Sequence, residues 1–135
     1  MENSSSEEAS NQDIVKRWGG REEVFSEGFL AVPVLLLRNL SSIGEYGIAP
    51  AEAVFIFEVM SFKWGVEDPF PSYKRIAESM GVSETYVRKI GRRLEEKGFL
   101  NRRSRQGTTN KFDFAPLFEK IADLVNDDEE VDLPF

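Results

Sequence analysis

Arg88 and Arg92, and likewise Lys89 and Arg93, stand four residues apart in the run ETYVRKIGRRLEE at 84–96. At helical spacing that places guanidinium and ammonium groups along one flank. Such a row suits a polyanion: it makes charge-assisted hydrogen bonds to phosphate oxygens, and arginine adds bidentate contacts to base edges. Val87, Ile90 and Leu94 recur at 3.6-residue spacing and take the inward side. Glu84, Thr85, Arg88, Lys89, Arg92 and Arg93 are left facing out. Thr85, Tyr86, Arg88 and Lys89 fall in the first turns, where a recognition helix meets bases, whereas Arg92 and Arg93 suit phosphates. The bland alternative is a solvated charged face.

The elements before this helix argue against the bland alternative. Ile76, Ala77 and Met80 form a first apolar stripe, Gly81 breaks it with the positive φ a sharp turn needs, and Val82 adds an apolar turn residue. Ser83 can cap the second helix, and small Ala77 lets the two helices cross closely. Residues 71–98 therefore predict a helix-turn-helix. Ser72 and Lys74 at its start and Ser83 at its turn join the candidate contacts.

Charge supports the same surface. The chain carries −7 overall, yet residues 72–111 hold eleven Lys/Arg against four Glu, a local +7, so the remaining ninety-five residues carry −14. A basic patch of this kind is the electrostatic footprint of nucleic-acid binding. Part of it lies in FLNRRSRQGTTNKFDF at 99–114, which alternates as a hairpin does, with a turn at Gln106-Gly107-Thr108. Arg102, Arg103, Arg105 and Lys111, with Gln106, Thr108, Thr109 and Asn110, are the candidate contacts there. A basic hairpin behind a recognition helix is a wing, aimed at phosphates and the adjacent minor groove.

Other chemistry has no residues to carry it. There is no Cys and no His, so no thiolate, imidazole base or usual metal-ligand set, and neither enzyme activity, metal nor cofactor is expected. The acidic start MENSSSEEASNQD is no signal peptide, and Ala53–Phe62 is too short and interrupted to span a membrane. A cytoplasmic setting is expected.

The chain divides into a flexible acidic segment at 1–20, a domain at 21–125 and a flexible acidic tail at 126–135. A short turn is expected at Ile14–Trp18, with Trp18 as a satellite core contact. Pro33 starts a helix whose buried side is Leu35, Leu36, Leu37 and Leu40. Ala49 or Pro50 opens a longer helix to about Trp64, apolar on more than one face. One face packs on the helix-turn-helix; the other is covered by residues 25–40 or by a second copy, which leaves a homodimer open. Pro116 begins a closing helix buried through Leu117, Phe118, Ile121, Ala122 and Leu124. The fold class is mostly α with a small β-hairpin, a winged helix-turn-helix.

From Gly28 to Leu124 the chain resembles the winged-helix module of plasmid and phage replication-initiation proteins, including the DnaD-type N-terminal domain. The residues that carry the resemblance are FLAVPVLLL at 29–37, the long apolar helix, FPSYKRIAESMGVSETYVRKIGRRLEEKGFL at 70–100 and NKFDFAPLFEKI at 110–121. Separately, NDDEEVDLPF at 126–135 is similar to the tail of bacterial single-stranded DNA-binding proteins. That second resemblance implies partner contacts by Asp132, Leu133, Pro134 and Phe135, with Phe135 entering an apolar pocket on replication or repair enzymes. The expectation is a protein that binds double-stranded DNA in replication initiation of a plasmid, phage or mobile element and recruits machinery through its tail. The alternative is a winged-helix transcriptional repressor, dimeric or not.

Overall fold

A computed structural model describes residues 12–62, 69–103 and 111–131, with side chains through 126. It separates Met1–Leu30 from Ala31–Phe135 as two compact units. In the first, residues 12–17 are helical, and the amides of Trp18 and Gly20 both donate to the carbonyl of Val15 to close that helix. A 3-10 turn follows at Glu22–Phe25. Trp18, expected to be a satellite core contact, is 70% exposed. The two-glycine step behind it, both at positive φ, turns the chain without supplying packing partners.

The second unit begins with α1, Val34–Arg38, set up by Pro33 in extended conformation at its N-cap. One turn of helix cannot bury adjacent leucines on the same side. Leu36 is fully buried and Leu40 half-buried, but Leu35 and Leu37 are 41% and 53% exposed, contrary to the sequence reading. A loop then brings the chain to α2, Pro50–Met60, with Pro50 at the first helical position. Gly47 shapes this loop: at φ +69 a Cβ would lie 2.7 Å from the carbonyl oxygen of Ser41.

Helix α2 is the central element and packs on both helices that follow, α3 at Tyr73–Met80 and α4 at Glu84–Glu96. Its Ala53, Phe55, Ile56 and Val59 are buried, Phe57 and Met60 are half-buried and Val54 is exposed. The helix ends at Met60; Trp64, its expected last residue, lies outside the described residues.

A two-stranded antiparallel sheet joins β1, Asn101–Arg103, to β2, Lys111–Asp113, with Arg102 opposite Phe112 and Arg103 opposite Lys111. The Phe112 amide is satisfied elsewhere, donating to the carbonyl of Pro69 at 2.9 Å. Helix α5 spans Ala115–Val131, so residues 126–131 of the acidic segment continue a helix. Leu117 and Ile121 are buried and Leu124 is half-buried, whereas Phe118 and Ala122 are exposed, a narrower buried side than expected. The result is mostly helical with one small sheet.

One ionic contact ties α2 to the end of α4. Glu52 is 1% exposed, and its Oε1 accepts from the Ala49 amide at 2.8 Å and from Lys97 Nζ at 2.6 Å. Lys97 also donates to the Gly47 carbonyl at 3.1 Å. Glu52 Oε2 has no partner among the described residues, so the carboxylate depends on Oε1 for its compensation. Replacing Glu52 by Ala is expected to lower stability by about 3 kcal/mol, because it strands the Lys97 charge. Urea unfolding of Glu52→Ala beside the parent chain measures this.

Candidate nucleic-acid interface

The helix-turn-helix forms as its residues dictate. Ile76 and Ala77 are buried on α3 and Met80 is half-buried. Gly81 takes the left-handed conformation at φ 71 and ψ 32, ending α3. Val87, Ile90 and Leu94 are fully buried on α4. Their burial forces the opposite flank outward, and Thr85, Arg88, Lys89, Arg92 and Arg93 are all exposed there. Tyr86 is half-buried against the core and offers only part of its side chain.

Two candidate contacts are occupied locally. Ser72 Oγ accepts from the Arg75 amide and Ser83 Oγ from the Tyr86 amide, each at 3.1 Å. Both hydroxyls cap helices, which satisfies otherwise unpaired N–H groups at the helix starts.

The cations sort into two sets. Lys74, Lys89, Arg92, Arg93, Arg103 and Lys111 make no ion pair among the described residues, and Arg75 makes only a cation–π contact, 4.9 Å from the Phe62 ring centroid. Arg88, Lys97 and Arg102 are engaged. Arg88 pairs with Glu84 at 2.9 Å and lies 4.8 Å from the Tyr73 ring centroid. Arg102 donates to Glu95 at 2.9 Å and to the Tyr73 hydroxyl at 2.8 Å. Burial works against its charge, but the hydrogen bond to Tyr73 and the nearness of Glu95 outweigh that and raise the guanidinium above its ordinary pKa.

Strand alternation explains the split on β1. Arg102 shares a face with its partner Phe112, which is buried, so its side chain turns toward the domain. Arg103 takes the other face, directly opposite Lys111. Like charges directly opposite on a sheet repel, so this pair weakens the sheet unless an anion lies between them. The remaining hairpin candidates, Arg105, Gln106, Thr108, Thr109 and Asn110, lie outside the described residues, as do Asp132, Leu133, Pro134 and Phe135.

Tyr73 was not among the sequence candidates, although it touches both engaged arginines. Its signal was an aromatic at the first position of α3, which reads as ordinary core. Among the described residues no group of His, Cys, Asp and Glu could hold a metal, and no helix is long and apolar enough to cross a membrane.

The chain thus presents a capped helix-turn-helix with an exposed basic flank, and a sheet that ends in cations with no ion pair among the described residues. Residues 32–132 match the family model of the DnaD N-terminal domain, and the chain belongs to that family. The crystal structure of the N-terminal domain of DnaD protein from Geobacillus kaustophilus HTA426 is similar, with TM-score 0.64 and 29% identity over 83% of this chain and 94% of that one. No curated protein matches the chain. The family places the chain among replication-related, DNA-associated proteins.

Replacing Ser83 by Ala tests whether that hydroxyl serves the helix. The expected loss is about 1 kcal/mol of stability, the usual worth of a serine cap. Thermal unfolding followed by circular dichroism reads it.

Proposed function

We propose that the chain binds duplex DNA through α4 and the basic sheet, as a winged-helix module does, and acts in replication initiation. The observation that carries this reading is the set Lys89, Arg92, Arg93 and Arg103, all exposed, with half-buried Lys111, none of them in an ion pair among the described residues, on the outer flank of α4 and at the end of the sheet. A helix whose apolar face is fully spent on the core presents that flank to solvent for a ligand. Family membership supports the replication setting. Arg92 and Arg93 serve phosphates, and Thr85, Arg88 and Lys89, nearer the start of α4, serve base edges.

The acidic segment completes the proposal. Asp132, Leu133, Pro134 and Phe135 dock on a replication or repair enzyme that takes tails of the single-stranded DNA-binding protein type, the upstream acids steering the encounter. A second copy of the chain is the other partner, and exposed Leu35 and Leu37 on α1 support that pairing.

Lys74, Arg92, Arg93, Arg103 and Lys111 on phosphates give a slope of about −4.5 for log K against log salt, at about −0.9 for each phosphate neutralised. Arg92→Ala with Arg93→Ala is expected to make that slope shallower by about 2, with little effect on stability since both side chains are exposed. Fluorescence anisotropy on duplex DNA across a salt series measures both, and a flat salt response would overturn the reading. Deleting 132–135 is expected to spare DNA binding and abolish replication of a replicon that depends on the protein. Replication that continues unchanged removes the recruiting role.

A further inference from the structure

We infer that Tyr73 is a positioning residue for base recognition, holding Arg88 of α4 and Arg102 of β1 in one fixed relation. The inference rests on the duplex-DNA reading above and adds to it the source of sequence preference.

Tyr73 is only 5% exposed, so it meets no ligand itself and acts through the groups it touches. Its ring lies beneath the Arg88 guanidinium, and its hydroxyl accepts from Arg102 Nη1. The Arg102 carbon also stands 5.9 Å from the ring centroid. One aromatic ring therefore connects the outer flank of the helix to the strand behind it.

Two neighbours pack on the ring itself. Phe112 meets it edge-on with centroids 5.8 Å apart. Gly91 of α4 also lies against it, and a Cβ there would come within 3.3 Å of the Tyr73 hydroxyl oxygen. A glycine inside a helix costs stability relative to alanine, and here it leaves room for that hydroxyl. Glu84 and Glu95 complete the arrangement, each accepting from one of the two arginines at 2.9 Å.

A guanidinium has five N–H donors in a rigid fork. Arg88 commits Nη2 to Glu84, and Arg102 commits Nε and Nη1, so each keeps donors for an incoming base or phosphate. Two arginines already oriented lose less freedom on binding than two that swing free, and they favour the base edges that match their spacing. Unanchored cations such as Arg92 and Arg93 adapt to any phosphate backbone. The division of labour is thus between anchored readers and free neutralisers.

The test uses the full chain and two labelled duplexes of equal length, one enriched from a random pool by the parent chain and one unselected. Tyr73→Phe keeps the ring and removes the hydroxyl. It is expected to weaken the selected duplex about tenfold, the scale of one lost base contact, and the unselected duplex by less than about twofold. Equal weakening of both duplexes, or of neither, overturns the positioning role while leaving DNA binding intact. A parent chain that binds both duplexes equally overturns it too. A parent chain that binds neither removes the DNA reading and this inference together. Should Tyr73→Phe fail to fold, Arg102→Lys carries the same expectation, because an ammonium on the same strand cannot reproduce the fork.

Discussion

Phe112 is the point where the separate elements become one structure. Its ring meets Phe55 of α2 edge-on at 5.9 Å and Tyr73 of α3 at 5.8 Å, and its amide reaches back to Pro69. Edge-to-face pairs add to the gain from burial and have a preferred geometry, so they orient as well as attach. The sheet on its own would be two three-residue strands, too little to persist in water. Anchored at Phe112, it becomes an extension of the helical core, and the register of the opposite strand follows. That register sets Arg102 on the Phe112 side of the sheet, against Tyr73, and Arg103 on the other.

The helix-turn-helix was legible in the sequence because its determinants are local. The Ser83 cap, the left-handed Gly81 and the Val87–Ile90–Leu94 stripe all act within a few residues, and each agrees with its neighbours. The candidate site was legible only in part, since counting cations does not reveal which are already partnered. Lys97 belongs to the basic window, yet it meets Glu52, forty-five positions away. Arg102 is bound to Tyr73, twenty-nine positions earlier. No periodicity encodes such pairs, because they arise only when the chain closes on itself.

The errors on apolar residues have a related cause. Leu35, Leu37, Phe118 and Trp18 are large and apolar, which reads as inward, yet all four are exposed. Hydrophobicity states a preference, but the number of neighbours a fold can supply decides who is buried. A five-residue helix offers one inward position, and Leu36 takes it. The exposed flank beside it is contiguous with that position, and burying it requires other apolar surface.

The opposed Arg103 and Lys111 leave the sheet with a built-in penalty at the end where residues 104–110 join its strands. Such a sheet is held to the core by its central Phe112 pair and pushed apart at the pair beside it. An anion placed between the two cations would convert that repulsion into a bridge and tighten the hydrogen-bonded ladder behind it. Binding would then order part of the protein as well as the complex. Its entropy and heat capacity would exceed what the contact area alone suggests, so the thermodynamics of association would carry a share of folding.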